Sequence, residues 1–239
     1  MKLDILAIGA HPDDVELCAS GTLLKHVHMG YKVGILDLSR GELGTRGNAD
    51  LRMQEAEKAT KILGLAAREN LGMADGFFEN NPEHQLRIIK MIRKYKPEIV
   101  LANAASDRHP DHGRAGKLVA DACFYSGLIK IKTELESESQ KAWRPKAVYH
   151  YIQDYYIKPD LVVDISEFYD KREESIMAYS SQFHSGKEKD EPDTPISSPE
   201  FLEFLRGRSL NFGRLIGAKY GEGFTVNRAV GVDDLVKLK

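Results

Sequence analysis

The chain has 239 residues, 34 Lys and Arg against 36 Asp and Glu, and a formal net charge of -2. That length suits one large α/β domain over 1–239 with a substantial core, and the charge balance lacks the basic excess that nucleic-acid binding requires. No apolar run approaches the roughly 20 residues of a membrane span, and Asp4 stands where a signal peptide would be apolar, so a cytoplasmic location is expected.

Residues 3–9 form an apolar run of strand length, followed by Ala10-His11-Pro12-Asp13-Asp14 and a helix-like stretch ending near Gly30. In that stretch Leu17, Gly21, Leu24 and His28 share one helical face. Residues 32–37 read as a second strand and 38–47 as a glycine-rich loop. Asp50 is placed to cap the next helix, with Met53, Ala56, Thr60 and Leu63 as its inward stripe and Gly64 as its stop. Asn81-Pro82 opens another helix with Leu86, Ile89 and Ile92 on one face, Pro97 closes it, and 99–102 is a short buried strand. Further strands are expected at 147–152 and 161–165, and helices at 167–180 and 199–216. The charged, proline-containing stretch 185–198 reads as an exposed loop, with a lid or a subunit contact as the lesser alternative. Strands alternating with helices predict a mostly parallel sheet covered on both faces.

Cys18 and Cys123 lie outside any C-x-x-C motif, in apolar helical contexts that suit small core residues. His26, His28, His84 and His150 lack chemically suggestive neighbours and read as surface or packing residues.

His11-Pro12-Asp13-Asp14 follows the first strand, and His109-Pro110-Asp111-His112 follows the strand at 99–102. In a parallel sheet, loops after the carboxyl ends of neighbouring strands converge on one crevice. An isolated motif of this kind is usually a polar turn; two of them after buried strands point to a divalent-metal site held by imidazole and carboxylate. His11 and Asp14 can present ligands together across the Pro12 turn, and His112 can complete the set. Asp13 is then free to accept a proton from water, and His109, protonated and oriented by Asp111, can polarise a carbonyl or protonate a leaving amine. This chemistry is that of a metal-dependent hydrolase. A metallo-phosphoesterase and a non-catalytic Rossmann-like binding module are the rivals, although Gly9–Asp14 matches G-x-G-x-x-G poorly.

The segment from Ala10 to Glu16, Gly41-Glu42 and His109-Pro110-Asp111-His112 resemble the LmbE/PIG-L-like deacetylases, metal-dependent enzymes that remove acetyl from N-acetylglucosaminyl compounds. The loops at 39–47 and 106–112 are most similar to the bacillithiol-biosynthesis branch, whose substrate is N-acetylglucosaminyl malate. The resemblance extends to about Phe183. It implies a Rossmann-like single domain, zinc (or another divalent metal such as Fe2+) on His11, Asp14 and His112, general base Asp13, and His109 assisted by Asp111. It also implies a homo-oligomer, with hexamers among the relatives. The mycothiol branch carries a tyrosine oxyanion donor where this chain has Asp107, so the oxyanion would rest on the metal, His109 and a tyrosine from Asp154-Tyr155-Tyr156. A malyl aglycone would call on Arg46, Arg52 and Arg108, and Glu42 would accept sugar hydroxyls.

Overall fold

The computed structural model describes residues 1–183, 194–198 and 200–237. Most of the loop expected at 185–198 therefore lies outside the described residues. Strand β1 (Ile5–Gly9) is buried at every position, as befits a central strand with both faces covered. It is flanked by β2 (Val33–Ser39) and β4 (Ile99–Ala102), both parallel to it, with Ile5 opposite Val33 on one side and Ile99 on the other. Strands β3 (Ala67–Met73), β7 (Ala147–Tyr151), β8 (Leu161–Asp164) and β9 (Gly221–Val226) complete a seven-stranded sheet of order β3-β2-β1-β4-β7-β9-β8. Only β9 runs against its neighbours β7 and β8, so the sheet is mostly parallel, as expected. A short hairpin of β5 (Glu134–Leu135) and β6 (Glu138–Ser139) stands apart.

The helices are α1 (Asp14–His28), α2 (Ala49–Leu63), α3 (Pro82–Tyr95), α4 (Pro110–Ser126), α5 (Tyr169–Met177) and α6 (Phe201–Leu215). Alternate residues of β1 feed opposite cores: Leu6 and Ile8 join Ile89, Ile92 and Leu118, whereas Ile5 and Ala7 join Leu23, Ala59 and Phe224. The chain winds outward through β1, β2 and β3, then crosses back to lay β4 on the other side of β1. This reversal opens a crevice between the carboxyl ends of β1 and β4.

Several local expectations shift. Asn48, rather than Asp50, caps α2 by accepting from the Leu51 amide at 2.9 Å, and Gly64 ends that helix at φ 67. The buried stripe of α2 runs through Arg52, Glu55, Ala56, Ala59 and Leu63, with Met53 and Thr60 half-buried, because polar partners lie beneath it. In α3, Asn81 caps as expected, but Leu86 is exposed and Ile88 takes the inward position. The segment 167–180 divides into a 3-10 turn (Ser166–Phe168) and α5.

Strands β3 and β9 are not legible as strands in the sequence. β3 carries Arg68, whose guanidinium bonds Asp37 at 2.8 and 2.9 Å and Glu16 at 2.6 Å, a partnership made only in three dimensions. β9 holds two glycines where side chains would collide: a Cβ on Gly221 would sit 2.7 Å from Val162, and one on Gly223 3.0 Å from the Phe212 ring.

Strand β9 also braces α1. The buried Glu222 carboxylate accepts from the mid-helix amides of Gly21 (2.9 Å) and Thr22 (2.7 Å) and from Arg172 Nε (3.1 Å). The Leu17 carbonyl accepts from Arg172 and Arg208, at 2.8 and 2.9 Å. Removing one partner from a buried charge pair leaves the other uncompensated. Glu222→Leu should therefore lower stability by about 3–5 kcal/mol, read as a lower urea midpoint with an unchanged denaturant slope.

Cys18 and Cys123 are buried, as expected, at 6% and 3% exposure. Burial pushes the Cys18 thiol up to about 12, only partly opposed by the Arg208 charge, and raises Cys123 as well. An aromatic disulfide reagent at pH 8 should titrate no thiol in the native protein and both after denaturation, because the thiolate is the reactive form.

Candidate active site

At the reversal between β1 and β4, the turn after β1 brings His11, Asp13 and Asp14 against His109, Asp111 and His112 at the start of α4. Asp14 opens α1, and its carboxylate lies between two imidazoles: Oδ1 is 3.1 Å from His112 Nε2 and Oδ2 is 3.6 Å from His11 Nδ1. The far nitrogens of both rings meet carboxylates. His11 Nε2 lies 3.0 Å from Asp75 and 3.4 Å from Asp111, and His112 Nδ1 lies 2.5 Å from Asp107. An imidazole oriented by a carboxylate on its other nitrogen is the arrangement that metal-binding histidines adopt. The donor set thus fits a divalent cation of nitrogen and oxygen preference. Two further groupings could hold one: the three imidazoles His11, His109 and His112, and His11 with Asp75 and Asp111.

Backbone and amide donors fix Asp14. Its Oδ2 accepts from the His11 amide (3.0 Å) and Asn103 Nδ2 (2.9 Å), and its Oδ1 from Gln153 Nε2 (3.3 Å). Burial alone would raise its pKa, but His112 and His11 hold it well below the usual carboxylate range. Conversely, burial pulls both imidazoles down and the surrounding carboxylates outweigh it. His11 is lifted well above its ordinary value by Asp111, Asp14 and Asp75, and His112 is lifted to about 9, chiefly by Asp14 and Asp107. The carboxylates around the two rings thus favour positive charge at this position, whether carried by the imidazoles or by a bound cation.

Asp13 is treated differently. Burial pushes its carboxyl up to about 7 against the pull of Arg52, whose Nη1 lies 3.7 Å away. It caps α1 at φ 127, a conformation that costs a non-glycine residue about 1–3 kcal/mol. Both Asp13 and His109 line an open cleft of about 290 Å³.

His109 differs from its expected state. Its Nδ1 accepts the Asp111 amide at 3.3 Å, so that nitrogen carries no proton. Burial and the neighbouring His11 and His112 lower its pKa, and with Nδ1 accepting, Nε2 is the ring's donor. Asp111 meets it through its backbone amide and not through its carboxylate. The Asp111 carboxylate instead binds Arg114 (2.8 Å), the Gly76 amide (2.9 Å) and the His11 ring, because the first turn of α4 points it beneath His11.

The expected substrate contacts are redistributed. Arg52 lines the cleft but is buried, wrapped by the glycine loop: a Cβ on Gly41, at φ 66, would lie 2.7 Å from its guanidinium. Arg108 lines the cleft and pairs with Asp154 at 3.0 Å. Arg46 is buried behind the loop, its carbonyl accepting from Gln182, and is not among the described residues lining the cleft. Glu42 holds the loop itself, accepting the amides of Asp75 (2.9 Å) and Arg40 (3.2 Å). Tyr155 and Tyr156 are exposed outside the cleft and supply no oxyanion donor there.

Asp75, Asn103, Asp107 and Gln153 are site residues that sequence reasoning missed. Asp75, Asn103 and Gln153 each follow the carboxyl end of a strand, the one signal that could have found them.

Comparison with known proteins adds a family to this geometry. A family model, PIG-L: GlcNAc-PI de-N-acetylase, matches residues 6–123. The chain is 29% identical over 230 residues to a diacetylchitobiose deacetylase of Thermococcus kodakarensis, covering 92% of this chain and 81% of that one. It is 25% identical over 202 residues to a probable N-acetyl-alpha-D-glucosaminyl L-malate deacetylase 2 of Bacillus anthracis, covering 75% and 81%. The crystal structure of the conserved protein TT1542 from Thermus thermophilus superposes with a TM-score of 0.85 at 34% identity, covering 97% of this chain and 98% of that one. Motifs, fold and matches agree, and the chain belongs to the PIG-L/LmbE family of de-N-acetylases.

Proposed function

We propose that this protein is a zinc-dependent N-deacetylase that hydrolyses the acetamide of an N-acetylglucosaminide. The observation that carries the reading is the Asp14 carboxylate held between His11 and His112, each backed by a further carboxylate, with Asp13 beside them in an open cleft. His11, Asp14 and His112 would hold the cation, which when bound supplies Lewis acidity toward the amide oxygen and lowers the pKa of water to about 7. Asp13, buried and with its pKa near neutrality, takes the proton from the attacking water and can return it to the leaving amine. His109, a neutral donor through Nε2, supports the developing oxyanion. Asp111, Asp75 and Asp107 keep the two ligand imidazoles in orientation.

The malate glycoside implied by the resemblance is the narrower reading. Of the expected arginines, Arg52 lies against Asp13 and Arg108 is bonded to Asp154, so a malyl aglycone would have to draw Arg108 away from its partner. No described helix is long and apolar enough to cross a membrane.

The test is acetate release from N-acetylglucosamine, its malate glycoside and N,N'-diacetylchitobiose after metal removal and reconstitution. Activity should disappear with chelator and return with zinc or another divalent ion. His112→Ala should lose tight metal, because two remaining ligands hold a cation poorly against water. Asp13→Asn should keep stoichiometric metal while kcat falls by roughly 10²–10⁴-fold, the scale of a positioned general base. Full activity in Asp13→Asn, or tight metal in His112→Ala, would reverse these assignments.

A further inference from the structure

Two spaces of unequal size meet at Asp14 and His112. One is the cleft of about 290 Å³ that holds Asp13 and His109; the other is a narrow compartment of about 50 Å³ between α1 and α6, and Asp14, Leu17, Arg108 and His112 line both. Cys18 from α1 and Phe201 and Leu205 from α6 complete the apolar walls of the compartment. Leu17, Cys18 and Leu205 are exposed by only 9%, 6% and 3% and belong to the core that α1 shares with the sheet, so close packing fixes the width of this space.

The charged groups along the compartment are engaged within the protein. Arg108 bonds Asp154 at 3.0 Å, Arg208 bonds the carbonyls of Gln153 and Leu17, and Asp107 accepts the amides of Asp154 and Tyr155 at 2.9 and 3.0 Å while facing His112. A ligand entering here therefore meets chiefly the apolar surface of Leu17, Cys18, Phe201 and Leu205. An acetamide divides at its carbonyl carbon into a nitrogen that carries the sugar and a methyl group. The pyranose needs the larger space. A water molecule occupies about 30 Å³ of liquid and a methyl group is of similar size, so the compartment admits the methyl and has little room for the further methylenes of a longer acyl chain.

We propose that this compartment receives the acyl methyl group, and that Cys18 and Leu205, which lie outside both His-Asp motifs, set the upper limit on acyl length. The proposal rests on the deacetylase reading, and the two can fail separately.

The experiment compares kcat/KM for N-acetyl-, N-propionyl-, N-butyryl- and N-hexanoylglucosamine in the zinc-loaded parent enzyme and in Cys18→Ala and Leu205→Ala. The parent should prefer acetyl to butyryl by about tenfold or more, the discrimination that surplus methylenes meet in a filled apolar pocket. Removing the Cys18 sulfur should raise the propionyl-to-acetyl ratio about threefold to fivefold, the scale of one accommodated methylene. Leu205→Ala, which removes the branched end of the side chain, should raise the butyryl-to-acetyl ratio about tenfold or more. A purely structural defect would lower all four substrates together and leave the ratios as they were. Ratios unchanged in both variants, or a parent enzyme that releases hexanoate as readily as acetate, would overturn the proposal. Should Leu205→Ala not fold, the propionyl ratio in Cys18→Ala decides it alone.

A second readout needs no turnover. In NMR titrations of the zinc-loaded protein with the released acids, acetate should bind the parent more tightly than butyrate, and the gap should narrow in each variant. If the parent cleaves none of the four amides, the deacetylase reading fails and this titration decides the compartment by itself. The expected order of the two acids sustains it, and equal binding of both in the parent overturns it.

Discussion

A carboxylate buried at the end of a sheet is tolerated only when its oxygens are bonded, and Asp14 meets that condition with donors from four separate pieces of chain. The His11 amide comes from the turn after β1, Asn103 from the end of β4, Gln153 from the end of β7 and His112 from α4. Satisfying one side chain therefore ties three parallel strands and two helices to one point. The same bonds leave the carboxylate facing the two imidazoles, so the requirement that stabilises the site also sets the spacing of its donors.

The C-terminal third, which contributes no motif, is joined to that point through α1. Glu222 from β9 bonds the amides in the middle of this helix, while Arg172 from α5 and Arg208 from α6 bond its Leu17 carbonyl. Arg208 also reaches the carbonyl of Gln153, whose side chain holds Asp14. A helix braced at mid-length carries its first residue rigidly, and this precision is what a preorganised site requires.

Asp13 and Asp14 show how environment separates two adjacent carboxylates. Asp14 faces cations and is held well below its ordinary pKa; Asp13, with Arg52 no closer than 3.7 Å, is pushed up to about 7 by burial. Divergent pKa values in neighbouring acids are the pattern by which one site holds a charged carboxylate beside one that can exchange protons. The positive φ of Asp13, between the turn and α1, carries an energetic cost borne by the rest of the fold.

The sequence by itself determined the elements whose physics is local. The apolar runs of β1 and β4, the Asn81-Pro82 start of α3, the Gly64 stop of α2 and the two His-Asp turns after buried strands are all written in short-range pattern, and they sufficed to bring His11, Asp14 and His112 together. Tertiary structure decided what depends on partners distant in the chain. β3 and β9 look too polar or too rich in glycine to be strands until Arg68 meets Asp37 and Glu16, and until the β9 glycines meet Val162 and Phe212. Side-chain roles were decided in the same way. Whether the Asp111 carboxylate bonds His109 or His11, and how near Arg52 comes to Asp13, turns on a few ångströms between segments, and spacing along the chain carries no record of that distance.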